Sequence, residues 1–182
     1  MTKGGNGAIA MSTQLSESDK ITSLQFRKPR KEDGANVWKL IKDTRTLDLN
    51  SSYSYLMLCE FFADTCVIAE KDGQLIGFLS AFCPPESNDT VFVWQVAVDE
   101  SSRGMGLGKK MLNELLERKS CERVRYLEAT VSPSNVASQA LFKGLAKRLN
   151  CPYEVLECFS EELFPGVGHE AEPIYRIGPF ER

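Results

Sequence analysis

The stretch that decides the fold reads Val96-Ala97-Val98-Asp99-Glu100-Ser101-Ser102-Arg103-Gly104-Met105-Gly106-Leu107-Gly108-Lys109. An apolar run over residues 91–98 enters it. Leu107, Met111, Leu112, Leu115 and Leu116 recur at helical spacing as the chain leaves it. A buried strand therefore feeds a glycine-rich turn, and the turn opens an amphipathic helix over residues 106–119. The first amides of a helix have no partner inside it, point the same way and carry partial positive charge, which makes an anion site suited to phosphate. Glycine lets the backbone approach the anion and enter turns closed to residues with a Cβ. The turn is not a Walker loop, because the helix does not open with Gly-Lys-Ser or Gly-Lys-Thr. It also fits a dinucleotide fingerprint poorly, since its glycines are spaced G-x-G-x-G. A glycine triplet alone is equally compatible with plain chain reversal, so its neighbours decide its meaning.

Upstream, the runs over residues 66–69 and 75–79 flank Lys71-Asp72-Gly73, a hairpin signal because Asp-Gly supplies the positive φ angles of a tight turn. Pro84-Pro85 ends the third strand. The strand over 91–98 is almost wholly apolar, which places it at the centre of a sheet covered on both faces. Earlier, Leu24 and Phe26 mark a short strand ending at Pro29. A helix over 31–42 follows, with Val37, Trp38, Leu40 and Ile41 on its apolar side. Ser51 or Ser52 caps a second helix that carries Tyr55, Leu56, Leu58, Cys59 and Phe62. Downstream come a strand over 124–131, a helix over 135–149 and strands near 154–158 and 173–177. The order β-α-α-β-β-β-α-β-α-β-β is an α/β (α+β) mixture, an antiparallel meander leading into one parallel step. Residues 1–20, rich in Gly, Ser, Thr and charge, read as a disordered tail, and residues 21–182 as one domain.

Composition narrows the function. The 182 residues hold 22 Lys plus Arg, 25 Asp plus Glu and one histidine. A net charge of −3 argues against nucleic acid or an anionic membrane as partner. No run approaches the ~18 apolar residues of a membrane span. A single imidazole, His169, excludes sites that need two, and no metal is expected. The six cysteines form no C-x-x-C pair, and several lie in apolar runs, so they read as free, buried thiols of a cytoplasmic protein. Lys109-Lys110 and Glu117-Arg118-Lys119 read as solvated helix faces.

Arg103-x-x-Gly106-x-Gly108 after Val96-Ala97-Val98 resembles the Q/R-x-x-G-x-G/A signature of the GNAT acetyltransferase superfamily. Thr130-Val131-Ser132-Pro133-Ser134-Asn135 resembles that superfamily's next segment. The resemblance implies the GNAT acyl-CoA N-acyltransferase fold, a central mixed, mostly antiparallel sheet flanked by helices. It implies acetyl-CoA as cosubstrate, its pyrophosphate on the amides of Arg103, Gly104, Met105, Gly106, Leu107, Gly108 and Lys109. Its pantetheine arm would pair with Val96, Ala97 and Val98 and meet Asn135. Many members carry a tyrosine seven residues after that asparagine to protonate the departing thiolate. Here the residue is Phe142, which has no proton to give. Thiols of this type have pKa values near ~8.5, so a free thiolate is a tolerable leaving group.

Within the superfamily, further segments are similar to one branch, the L-2,4-diaminobutyrate acetyltransferases. They are Leu47-Asp48-Leu49-Asn50-Ser51-Ser52-Tyr53, Phe92-Val93-Trp94-Gln95, Tyr126-Leu127-Glu128-Ala129-Thr130 and Gly168-His169-Glu170-Ala171-Glu172. That resemblance implies acetyl transfer to the 4-amino group of L-2,4-diaminobutyrate, giving the precursor of ectoine, in a homodimer. The substrate carries two ammonium groups and one carboxylate, so its pocket calls for acidic groups and aromatic walls. Asp48, Tyr53, Trp94, His169, Glu170 and Glu172 are the candidates for substrate binding, with Asp48, His169 and Glu170 also candidates for catalysis. Trp94 offers a cation–π face to an ammonium. Arg45 is a candidate for the α-carboxylate. Each residue also has a plainer reading: Asp48 as a cap or turn, Trp94 as core, and His169 as part of a surface cluster beside two glutamates. Two other functions share the glycine turn: acetylation of another amine, on a peptide or a small diamine, and acyl-CoA binding without catalysis.

Overall fold

A computed structural model describes Met1 and residues 23–166 and 168–181. The expected tail over residues 1–20 lies, apart from Met1, outside the described residues. The elements are β1 (Leu24–Arg27), α1 (Gly34–Thr44), α2 (Ser52–Phe61), β2 (Val67–Lys71), β3 (Gln74–Phe82), β4 (Thr90–Val98), α3 (Leu107–Leu116), β5 (Tyr126–Thr130), α4 (Val136–Leu149), β6 (Tyr153–Phe159) and β7 (Glu172–Ile177). This is the element order read from the sequence. The strands form one sheet in the order β1-β2-β3-β4-β5-β7-β6, and every neighbouring pair is antiparallel except β4–β5.

Local chemistry sets most of the boundaries. Asp72 and Gly73 both take positive φ (52° and 78°), so the β2–β3 hairpin turns where Asp-Gly allows it. Ser51 caps α2 by accepting the Ser54 amide, and Asn135 caps α4 by accepting the Ser138 amide. Asn150 ends α4 in the left-handed region, at φ 50°.

Two cores sandwich the sheet. On one face α1 and α2 bury Val37, Leu40, Ile41, Tyr55 and Leu58 against Ile68, Phe78 and Ala97. On the other, α3 and α4 bury Leu107, Met111, Leu112, Leu115, Phe142 and Leu145 against Val67, Leu79, Val91, Val93 and Leu127. β4 holds the central position, as its apolar sequence requires, but it is not covered throughout, because Trp94 is 43% exposed.

Two further expectations need correction. Arg118 is not on a solvated face. It is 9% exposed, and its guanidinium donates to the carbonyls of Ala63, Asp64 and Cys66, tying the α2–β2 connection to the end of α3. Many backbone carbonyls there lack a strand partner, and a five-donor fork can reach several at once. The cysteines are not all buried: Cys59, Cys66 and Cys121 are, whereas Cys83 and Cys158 are exposed. Burial pushes the Cys59 thiol up to about 12, so it is inert near neutral pH.

Candidate active site

β4 and β5 pair in register only from Thr90 to Phe92; beyond that they part. A cleft of about 560 Å³ opens between them, lined on the sheet side by Val93, Trp94, Gln95 and Val96 of β4 and by Ala129, Thr130 and Val131. The β4 edge facing the cleft therefore has no strand beside it, and its backbone groups can pair with an extended ligand. A bulge sharpens the opening. Ser80 pairs with Gln95 but Ala81 pairs with Val93, so Trp94 is the extra residue, and its indole lines the cleft.

Past Val96, the last β4 residue in the lining, the strand runs on to Val98 and then into the glycine turn, none of whose residues 103–109 lines the cleft itself. Gly104 and Gly106 take φ of 79° and 70°, the left-handed region that L side chains rarely adopt. A Cβ at either would meet nothing within 4 Å, so backbone conformation and not crowding demands glycine there. Gly108 differs: a Cβ on it would make ordinary contacts, 3.4 Å from Leu141 and 3.6 Å from Val96, so neither backbone conformation nor crowding demands glycine there.

Unlike α2 and α4, α3 has no side-chain cap, and its first internal bond is Lys110 N–H to Gly106 O at 3.0 Å. The amides of Leu107, Gly108 and Lys109 precede that bond and are left for an anion. No acidic residue occupies this first turn, whereas Lys109 and Lys110 do. Cations at a helix N-terminus oppose the macrodipole, an arrangement that suits a bound polyanion. Arg103, Gly104, Met105 and Gly106 are exposed; the Leu107 side chain is core, so only its backbone is available. Ala97 likewise buries its methyl against Phe78 and the first two helices. Asn135 lines the cleft while its side-chain oxygen caps α4.

Two segments distant in sequence supply the acidic groups and the histidine. Asp48 comes from the loop between α1 and α2, with its side chain turned to solvent. His169, Glu170 and Glu172 come from the segment leading into β7. The His169 ring stacks on Phe164 at 3.7 Å with an 8° interplanar angle. Its Nδ1 lies 2.8 Å from the Glu170 carbonyl oxygen. A carbonyl only accepts, so Nδ1 carries the proton and a neutral ring keeps its lone pair on Nε2. That nitrogen stands 3.7 Å from Asp48 Oδ2.

The two glutamates differ. Glu170 is partly exposed, and the Ser134 amide, donating to its Oε2 at 3.0 Å, pulls its carboxyl below the usual range. Glu172 is half-buried, and desolvation raises its carboxyl, with Asp48 and Glu170 adding to the rise. His169 and a hydrogen bond with Thr130 work against that rise without cancelling it.

The structure thus brings together Asp48, Trp94, Val96, Asn135, His169, Glu170 and Glu172. It leaves Tyr53 out of the cleft lining: Tyr53 is 67% exposed on the first turn of α2. Arg45 also stands outside the lining; it ends α1 at φ 55°. No Lys or Arg is among the residues that line the cleft, so neutral donors such as Thr46, Asn50 and the serines are what it offers a carboxylate. The sequence reading passed over Gln95 and Tyr55 as site residues. Gln95 is a polar residue inside an apolar strand, a signal that was available; Tyr55 sits in a helix that is apolar nearly all round, where nothing distinguishes it.

A parted strand pair, an anion-ready helix start and an acidic cleft together define an acyl-CoA-dependent N-acyltransferase. The model of the Acetyltransferase (GNAT) family matches residues 35–146, and the chain belongs to that family, in its branch of L-2,4-diaminobutyric acid acetyltransferases. It is 59% identical to the L-2,4-diaminobutyric acid acetyltransferase of Marinococcus halophilus, over 89% of this chain and 94% of that one. It is 56% identical to that of Halalkalibacterium halodurans, over 87% of this chain and 83% of the other. Among solved structures, the diaminobutyrate acetyltransferase of Paenibacillus lautus, in complex with its substrate L-2,4-diaminobutyric acid and coenzyme A, is 49% identical. It superposes with a TM-score of 0.86 over 88% of this chain and 98% of that one.

Proposed function

We propose that the protein transfers the acetyl group of acetyl-CoA to the 4-amino group of L-2,4-diaminobutyrate, giving N4-acetyl-L-2,4-diaminobutyrate and free CoA. The observation that carries the reading is a cleft along the free edge of β4 that Asp48, Trp94, His169 and Glu172 line together, with an anion-ready helix start just beyond the end of that strand.

Acetyl-CoA lies along the free edge of β4, its pyrophosphate on the amides at the start of α3. The diamine enters the acidic end, where Asp48 and Glu172 hold its ammonium charge and the indole supplies a cation–π wall. An alkylammonium with pKa near ~10 is almost wholly protonated at neutral pH, so a base must free the nitrogen lone pair. The unprotonated Nε2 of His169 takes that proton. The amine nitrogen then attacks the thioester carbonyl, and a β4 amide near Val96 stabilises the oxygen as it gains charge. The C–S bond breaks as the C–N bond completes, the thiolate leaves with the electron pair, and the nitrogen gives up its second proton to solvent to become the neutral amide. Phe142, 3% exposed, lines the cleft where many relatives of the superfamily have a phenol, so the thiolate takes its proton from solvent. Glu170, anchored on Ser134, holds the His169 segment in place and takes no proton.

Steady-state turnover of acetyl-CoA with diaminobutyrate, ornithine, lysine and a mixture of peptides tests the reading. Turnover of diaminobutyrate far above the others is expected; turnover on peptides alone overturns it.

The same proposal includes a cytoplasmic homodimer. No described helix is long and apolar enough to cross a membrane. Every residue of β6 is exposed although the strand is apolar, with Tyr153, Val155, Leu156 and Phe159 each 43–48% exposed at a sheet edge. Such an edge calls for a partner, and a second copy of the strand is self-complementary. Light scattering of the full chain and of Leu156→Lys reads this directly.

A further inference from the structure

Two buried polar side chains lie beneath the amine end and take no part in the chemistry above. Tyr55 of α2 is fully buried, and Gln95 of β4 is 5% exposed. The Tyr55 hydroxyl donates to Gln95 Oε1 at 3.3 Å and accepts the Asn50 amide at 3.2 Å. Gln95 Nε2 donates to the Asp48 carbonyl oxygen at 2.8 Å. The Gln95 amide, in turn, donates to Ser80 Oγ at 3.1 Å, across the bulge that turns Trp94 into the cleft. Apart from the approach of the Asp48 carboxylate to His169 Nε2 at 3.7 Å, these two bonds are the polar ties that hold residues 46–50 among the described residues.

The consequence is geometric. Trp94 and Gln95 are consecutive residues at the bulge, Trp94 43% exposed and Gln95 5% exposed. The indole forms the wall of the cleft, while the amide reaches the loop that carries Asp48. One bulge therefore fixes both the aromatic wall and the carboxylate. A hydrophobic pocket tells apart ligands one methylene different by only ~10–200-fold, and only when its walls stay where they are. Both partners are buried, so neither bond competes with water once formed, and loss of either leaves polar groups unpaired.

We propose that Tyr55 and Gln95 are positioning residues that set the distance between Asp48 and Trp94, and with it the length of diamine the enzyme prefers. The proposal rests on the diamine reading of the cleft. The two residues act through the loop and do not touch the reacting atoms. Tyr55→Phe deletes one hydroxyl at constant shape. Gln95→Leu deletes both arms of the relay. Gln95→Glu keeps the acceptor for Tyr55 but has no donor for the Asp48 carbonyl.

The experiment measures KM for diaminobutyrate, KM for acetyl-CoA and the kcat/KM ratio of diaminobutyrate to ornithine in the full chain and these three variants. It also follows amide hydrogen exchange over residues 46–50. The expected result is a diaminobutyrate KM raised about 10-fold, since a misplacement near 1 Å is costly, with the acetyl-CoA KM unchanged within about twofold. The preference over ornithine falls, and Gln95→Glu behaves like Gln95→Leu. A purely structural role predicts lower thermal stability with both KM values and the preference unmoved, and that result overturns the proposal; so does an equal rise in both KM values. If the wild type fails to turn over diaminobutyrate, the functional reading falls. Exchange then judges the relay alone: faster exchange at Asp48–Asn50 in Tyr55→Phe supports it, and unchanged exchange overturns it.

Discussion

The two ends of the site are built on opposite plans. On the proposed reading the cofactor end is one contiguous stretch, from the end of β4 to the first turn of α3, that acts through backbone amides whose direction the helix sets. The amine end gathers Asp48, Trp94, His169 and Glu172 from segments more than a hundred residues apart, and it works through side chains. A backbone site tolerates most side chains but demands particular φ angles. A side-chain site tolerates backbone detail but demands that remote segments meet. The first should fail through conformation at a single glycine, the second through loss of individual functional groups.

The variants that test this division differ in size of effect. His169→Gln should have the largest, lowering kcat with diaminobutyrate by about 10²–10⁴-fold, the usual worth of a general base, with acetyl-CoA affinity intact by calorimetry. A loss below threefold would move the proton to another group. Gly106→Val comes next. It forces a β-branched residue to φ near 70°, and strain of ~1–3 kcal/mol plus a displaced amide should raise the KM for acetyl-CoA by about 100-fold. Circular dichroism should show the fold intact. If the diaminobutyrate KM rises equally, the two ends are not separable.

Asp48→Ala should raise the diaminobutyrate KM about 10-fold and leave that for acetyl-CoA unchanged, because an exposed carboxylate contributes modestly. The smallest effect is on stability. The Glu172 carboxyl is raised in the folded protein, so folding favours its protonated form. Its ionisation then costs stability as pH rises from the ordinary carboxylate value through the raised one. Glu172→Gln removes that cost. It should lift Tm at neutral pH by no more than about 2 °C, with the gain gone at pH values below both titrations. In the wild type, diamine binding should weaken as pH falls through the raised value of the Glu172 carboxyl.

The same contrast explains what was legible. The phosphate turn, the Asp-Gly hairpin and the Ser51 and Asn135 caps are local signals, and each stands where its residues put it. Asp48, Trp94, His169 and Glu172 were chosen through resemblance to a family, and the cleft brings all four together. Tyr53 and Arg45, chosen the same way or by charge, lie outside the lining, because nothing local tells which side of a loop or helix faces a cleft formed by distant strands. Arg118 was misread for a related reason. A charged residue beside other charges looks solvated until the carbonyls it must satisfy, fifty-odd residues away, are known.

The sequence by itself determined the element order, the turn types, the central place of β4 and the anion-ready start of α3. These follow from apolar periodicity and from residues that permit or forbid particular φ angles, both properties of neighbours along the chain. Only the tertiary structure decided where β4 and β5 part, which residue of β4 bulges, and how Tyr55 and Gln95 reach the Asp48 loop. Those features depend on strand register and on the meeting of buried polar groups across 40 and 47 residues of chain, and no local pattern encodes either.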